Sequence, residues 1–320
     1  MLPHLKISGF RGFREFRVDG LARVNLLVGT NNSGKTSLLE AAELVAMGTA
    51  GGLLRGPRRR GESTWVDQEG APFDRRILDL SHLFHGHTLH PGAFFEVSSG
   101  EDSWIRCEVA HSLQKSLFDS IDEPAPVLRF KNSMEDRVRE ISPFSLDALQ
   151  RPALPSSLFD SPRPVHFLGT EAILILQLSQ LWDAIVLTPE EEGVVAAIRI
   201  VEPDIERIAF VGEGKGSRSI FLKPAGTEQR LPLGSAGDGL KRLLALALHL
   251  FSAKGGYLLV DEIDTGLHHT VMVDMWKLVI ETARRLEVQV LATTHSLDCV
   301  RALAWVQEKN PEIASEVTLH

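Results

Sequence analysis

The chain has 320 residues, of which 43% are apolar and 24% charged, with a net charge of −8. That balance excludes a disordered, collagen-like or low-complexity chain and allows one large domain or two modest ones, each with a full core. The acidic excess argues against a molecule-wide nucleic-acid surface, so any DNA contact has to be local.

The start, Met1-Leu2-Pro3-His4-Leu5-Lys6, lacks the apolar block and cleavage site of a secretory signal. The longest helical apolar stretch, Leu243 to Phe251, contains His249 and is well short of the roughly 20 residues that cross a bilayer. The expected location is cytoplasmic, without a membrane partner. Cys107 and Cys299 lie far apart with no CxxC or histidine pair nearby, which suggests buried thiols rather than a disulfide or a zinc site.

Alternation of Leu5, Ile7, Phe10, Phe13, Phe16 and Val18 predicts a strand pair turning at Gly9 or Gly12. Val24-Asn25-Leu26-Leu27-Val28 reads as a buried strand that meets a glycine loop at Gly29. From Lys35 the apolar spacing becomes helical, and Gly48 ends that helix. The basic run Arg55-Gly56-Pro57-Arg58-Arg59-Arg60 reads as a solvated loop. Ala93 to Val97 and Trp104 to Val109 form a predicted hairpin. Prolines 152, 155, 162 and 164 mark a linker or lobe boundary. Helices are predicted over 171–182 and 189–200. The last third alternates: helix 239–252, strand 257–260, helix 270–286, strand 288–293 and helix 297–307, which implies a parallel sheet. Glu316 to His320 looks like a strand just begun, so a further C-terminal portion is expected. The expected organisation is an N-terminal lobe over 1–150, a helical lobe and hairpin over 151–235, and a C-terminal lobe over 236–320, together one split domain.

Gly29-Thr30-Asn31-Asn32-Ser33-Gly34-Lys35-Thr36 satisfies G-x-x-x-x-G-K-[ST] between a strand and a helix, the context that a phosphate-cradling loop requires. Gly29 and Gly34 let the backbone curl so that N–H groups and the helix start face a phosphate. Lys35 would reach the β- and γ-phosphates and Thr36 would hold Mg²⁺, with Asn31, Asn32, Ser33 and Ser37 completing the nucleotide contact. Tyr257 to Glu262 is an apolar strand ending in two acids. Alternation along a strand would turn one toward the metal and the next toward water, so Asp261 is assigned to Mg²⁺ and Glu262 to the general base. His295, at the tip of the next strand, is assigned to the γ-phosphate or the attacking water. Gly234-Ser235-Ala236-Gly237-Asp238-Gly239 is a second glycine loop opening a helix, another anion-binding start. His82, His85, His87 and His90 do not share a helix face with an acid or cysteine, so they read as a surface or lobe-contact loop.

In this order, the P-loop, the Ser-x-Gly loop with its helix, the Asp-Glu strand, Asp264-Thr265-Gly266-Leu267-His268 and the histidine strand resemble an ABC-type ATPase. Leu5-Lys6-Ile7-Ser8-Gly9-Phe10-Arg11-Gly12-Phe13, the Asn31-Asn32-Ser33 of the P-loop and Ala292-Thr293-Thr294-His295-Ser296 further resemble the chromosome-maintenance (SMC), RecF and OLD branch of the AAA family more than transporter subunits. That branch includes stand-alone bacterial ATPases of anti-phage defence. The resemblance implies an α/β P-loop NTPase head with a mixed central sheet flanked by helices, an antiparallel β subdomain and a helical lobe. It implies ATP and Mg²⁺ as ligands and a homodimer that sandwiches ATP. In such a dimer Ser235 and Gly237 touch the γ-phosphate in trans, Asp264 lies at the seam, His295 is the switch histidine and Arg11 meets nucleotide.

The signature departs from the Leu-Ser-Gly-Gly-Gln of transporters. Val165-His166-Phe167-Leu168-Gly169-Thr170 stands at the Q-loop without a glutamine, no heptad run is long enough for a coiled-coil arm, and the stretch after His295 is expected to be too short for a fused TOPRIM nuclease. The implied function is Mg²⁺-dependent ATP hydrolysis by a head that senses DNA or controls a separately encoded effector, such as a TOPRIM-type nuclease, in DNA repair or phage defence. Its competitors are a transporter energy-coupling subunit, a nucleotide-locked scaffold and a small-molecule P-loop kinase.

Overall fold

In the computed structural model the described residues are 1–66, 75–111, 126–135, 137–142, 161–214 and 217–320. The first half contains β1 (His4–Phe10), β2 (Phe13–Asp19), β3 (Val24–Val28), α1 (Lys35–Met47), α2 (Arg55–Arg60), β4 (Ser63–Val66), β5 (Arg75–Leu78), β6 (Phe94–Ser98), β7 (Trp104–His111), β8 (Pro126–Asn132) and β9 (Arg139–Ile141). The second contains β10 (Val165–Leu168), α3 (Ile175–Ile185), α4 (Pro189–Ile198), β11 (Ile205–Gly214), β12 (Ser217–Pro224), β13 (Leu231–Pro232), α5 (Asp238–Ser252), β14 (Tyr257–Val260), α6 (Met272–Arg285), β15 (Gln289–Thr294), α7 (Leu297–Lys309) and β16 (Val317–Leu319). The proline-rich stretch 151–155 lies outside the described residues.

Packing divides the chain into two units, one of residues 1, 21–35 and 163–320 and the other of residues 2–20 and 36–162. The first is built on a five-stranded sheet in the order β10-β14-β15-β3-β16, parallel at every pairing. A parallel sheet covered on both faces needs strands apolar throughout, and Tyr257-Leu258-Leu259-Val260 is buried at all four positions. Leu243, Leu244 and Ala247 of α5, Trp276, Val279 and Ile280 of α6, and Cys299 and Leu303 of α7 join these strands in one apolar cluster. The C-terminal segment completes an edge: Val28 N–H donates to the His320 carbonyl (2.8 Å) and His320 N–H to that of Leu26 (2.9 Å). The same unit carries a three-stranded antiparallel sheet, β11-β12-β13.

The second unit holds a six-stranded antiparallel sheet, β2-β1-β6-β7-β8-β9, and the β4-β5 pair. The predicted hairpin is β6-β7, whose inward residues Ile105, Cys107 and Val109 alternate with Arg106 and Glu108. The first hairpin turns at Arg11 and Gly12, because Phe10 pairs with Phe13. Gly9 has a different use: a Cβ there would lie 2.4 Å from the Phe94 carbonyl, so it admits the close approach of the neighbouring strand. The basic run is also not a solvated loop. It forms α2, with Arg59 2.6 Å from Glu43 and Arg60 2.9 Å from Glu40, because two acids buried on α1 need counter-charges. His85 Nδ1 lies 3.1 Å from the Arg11 carbonyl.

Trp276 is fully buried and donates its indole N–H to the Cys299 carbonyl (3.1 Å), linking α6 to α7. Trp276→Ala removes the largest fully buried side chain of this cluster and should cost about 3–5 kcal/mol, read as a lower urea midpoint at unchanged slope.

Candidate functional site

Sheet order places β14, β15 and β3 side by side, and all three run the same way. The segments that follow them therefore leave from one edge, with neighbouring strands about 4.8 Å apart. The carboxyl edge of such a sheet is where open α/β folds take ligands. Along it stand the acids after β14, the histidine after β15 and the glycine loop after β3.

The glycine loop turns through Asn32 (φ +62°) and Gly34 (φ +90°), both in the left-handed region. Gly29 is required by space, since a Cβ there would come within 2.8 Å of Ser33 Oγ. Lys35, the first residue of α1, folds its ammonium back onto the loop and donates to the Gly29 (2.7 Å) and Thr30 (2.8 Å) carbonyls. Asn31, Asn32 and Ser33 are exposed on the rim. The first N–H groups of α1 have no intrahelical acceptor, so the loop and helix start together form a cradle for an anion. Thr36 and Ser37 follow in the helix, and Ser37 Oγ accepts a long hydrogen bond from Arg60 (3.4 Å).

The two acids separate in a way that strand alternation does not explain. β14 ends at Val260, and Glu262 takes φ +48°, so a local turn divides the carboxylates. Asp261 is 8% exposed and accepts from Thr293 Oγ1 at 2.7 Å. The same hydroxyl oxygen accepts the Glu262 N–H at 2.8 Å. The half-buried Glu262 carboxylate lies 3.3 Å from His295 Nδ1. Thr294 Oγ1 donates to Asp264 at 2.6 Å and accepts the Ser296 N–H at 2.9 Å, which holds the turn after Glu262 against the tip of β15. Thr293 thus ties Asp261 to the Glu262 backbone, His295 faces the Glu262 carboxylate, and Thr294 separately holds Asp264.

The second glycine loop passes through a short 3₁₀ turn, Leu233–Ser235, and reaches α5 at its N-cap Gly237 (φ +82°). Ser235 and Gly237 are exposed, and neither hydrogen-bonds the first glycine loop among the described residues. Arg11 belongs to the second unit. It is 5% exposed and ion-paired to Glu40 (2.6 Å) and Glu62 (2.8 Å), so a nucleotide contact would require breaking those pairs. Both cysteines are buried, and burial pushes the Cys299 thiol up to about 12. Two residues important to the site escape the sequence reading. Thr293 is one of two threonines at a strand tip, and Arg242 is a cation on the apolar face of α5, a mismatch that was its only signal.

Residues 109–299, more than half of the chain, match the family model described as "AAA domain, putative AbiEii toxin, Type IV TA system", and residues 1–48 match an AAA ATPase domain model. The chain belongs to this AAA family. It is an ATPase of the AAA type. A protein named ATP/GTP phosphatase from Helicobacter pylori is 22% identical over 95% of this chain and 87% of its own length. The DNA replication and repair protein RecF of Streptococcus pneumoniae is 31% identical over 27% of this chain, which is 21% of that protein. Among solved structures, an SMC head bound to the C-terminal winged-helix domain of ScpA superposes with a TM-score of 0.52 over 94% of this chain and 91% of its own, at 16% identity. That likeness concerns the fold.

Thr293→Val keeps the shape of the side chain but removes the acceptor of the Glu262 N–H and the hydroxyl that donates to Asp261. A loss of about 1–3 kcal/mol is expected in thermal unfolding, and Thr293→Ser should restore most of it.

Proposed function

We propose that this ATPase hydrolyses ATP in a Mg²⁺-dependent reaction, dimerises around the nucleotide and regulates a DNA-directed or effector-coupled process such as DNA repair or phage defence. The observation that carries the chemical part is the Glu262–His295 pair, 3.3 Å apart, on the same sheet edge as the Lys35 loop.

The loop amides and Lys35 bind the phosphates of ATP, with the ammonium giving up its two backbone carbonyls for phosphate oxygens. Asn31, Asn32, Ser33, Gly34 and Ser37 line that path. Glu262 accepts a proton from the attacking water at its carboxylate while the γ-phosphoryl group passes to the water oxygen and ADP leaves. His295 holds Glu262 and orients it toward that water. The donors fit a hard cation that keeps several waters. They comprise the Thr36 hydroxyl and the Asp261 carboxylate, and among the described residues no cluster of three or more histidine, cysteine or acidic side chains forms a cage. When bound there, Mg²⁺ would neutralise charge on the phosphates.

Exposure of Ser235 and Gly237 supports a role in trans: each would meet the γ-phosphate held by a second copy, with Asp264 near the seam. ATP then favours the closed pair, and loss of the γ-phosphate releases it. The names of the relatives support a DNA-linked or phosphatase setting, and the effector is a separate protein. Among the described residues no helix is long and apolar enough to cross a membrane.

Lys35→Ala should abolish ATP binding in equilibrium titration, because the phosphates lose their principal cation. Glu262→Gln should still bind ATP yet turn over at least about 100-fold more slowly. Light scattering of Glu262→Gln should give one head alone and two with ATP and Mg²⁺. A mass that ignores nucleotide, with binding proven, would remove the trans role of Ser235 and Gly237.

A further inference from the structure

Arg242 stands one turn into α5 with Leu240, Leu243 and Leu244 about it in sequence, and it is 4% exposed. A guanidinium in such a place is retained only when its donors are used. Here the two terminal nitrogens donate to backbone carbonyls at two strand ends, and Nε has no hydrogen-bond partner among the described residues. Nη1 donates to Gly169, just beyond β10, and Nη2 donates to Asp261 (2.6 Å) and Glu262 (3.1 Å). Burial pulls its pKa down, while the carboxylates of Asp261, Asp264, Glu171 and Glu262 pull it up.

Glu262 has φ +48°, a conformation that a glutamate keeps only when its surroundings hold it. Its peptide groups are held from two sides: the N–H on Thr293 Oγ1 and the carbonyl on Arg242. The first turn of α5 touches the same region a second time. A Cβ at Gly239 would lie 2.6 Å from the Gly266 carbonyl, and Gly266 itself has φ +74°. The helix that begins at the second glycine loop is therefore joined to the acid turn through Arg242 and through the Gly239–Gly266 backbone approach.

We propose that Arg242 is a positioning residue: it fixes the Glu262 backbone and makes the orientation of the Glu262 carboxylate follow the position of α5 and of the glycine loop at its start. The proposal rests on Glu262 as the general base. A partner's nucleotide engaging Ser235 and Gly237 would displace α5, and the guanidinium, bonded to both acid carbonyls, would carry that displacement to the base. ATP affinity, set by the Lys35 loop, does not depend on it.

The test uses the full chain as wild type, Arg242→Met, Arg242→Lys, Glu262→Gln and Arg242→Met/Glu262→Gln. Steady-state and single-turnover hydrolysis are measured alongside equilibrium binding of a fluorescent ATP analogue and thermal melting. Arg242→Met should lower kcat by about 10- to 100-fold, with nucleotide Kd within about threefold of wild type. In the Glu262→Gln background the same substitution should cause no further loss, because both changes act through one carboxylate. Arg242→Lys should recover part of kcat, since one ammonium keeps the charge but cannot span the Gly169 carbonyl and both acid carbonyls.

A wild-type kcat in Arg242→Met overturns the proposal. So does an equal loss in both backgrounds, or a Kd that weakens in step with kcat. If Arg242→Met does not melt cooperatively, Arg242→Lys decides: a lowered kcat at unchanged Kd and melting supports the positioning role, and a wild-type kcat overturns it. Should Glu262→Gln turn over like wild type, the base assignment falls and the proposal with it. Loss of turnover in Glu262→Gln together with a normal Arg242→Met overturns the Arg242 proposal alone.

Discussion

The hydroxyl of Thr293 is the interaction on which the arrangement of the acid turn depends. It donates to Asp261 and accepts from the backbone of Glu262, so a single oxygen sets the separation of two adjacent acids. That is possible only because β14 and β15 are parallel neighbours in register, Val260 opposite Ala292, which brings the residues just past each pairing into contact. A slip of one residue would turn Thr293 away from the acids, since side chains alternate along a strand. Sheet register thus fixes how the two acids are placed.

The next neighbour extends the same constraint. β3 pairs with β15 through Thr294 and Val28, so the glycine loop leaves the sheet beside the histidine. Its flank is covered by β16, which closes the edge next to β3. Chain segments separated by more than 200 residues converge on this edge. Such long-range pairing is costly in loop-closure entropy, and burial of the apolar residues of β14, β15 and β3 offsets it.

The second unit shows another economy of charge. Glu40 and Glu43 are buried on α1, the helix whose first residue is Lys35, and Arg11, Arg55, Arg59 and Arg60 gather around them. An isolated buried carboxylate is strongly unfavourable, so removing one partner of this group costs more than the pair contributes. The motif-level reading of Arg11 as a nucleotide contact overlooks this demand. A sequence displays the arginine, but the acids that claim it lie 29 and 51 positions away, at residues 40 and 62.

Much of the molecule is legible without coordinates. The apolar run before Gly29, the helical period after Lys35, the acid strand and the strand-helix alternation of the last third are local patterns, and local backbone physics is enough to read them. They determined the fold class, the glycine loop and the segments that meet at one edge of the parallel sheet. Other features belong to the tertiary structure alone: the positive φ of Glu262, the two-way bond of Thr293, the carbonyls taken by Arg242, the use of Gly9 and the claim of Glu40 and Glu62 on Arg11. Each is a contact between residues remote in sequence, or a backbone conformation sustained by such contacts. Periodicity says which face of an element is buried, and only packing decides what each buried polar group meets there.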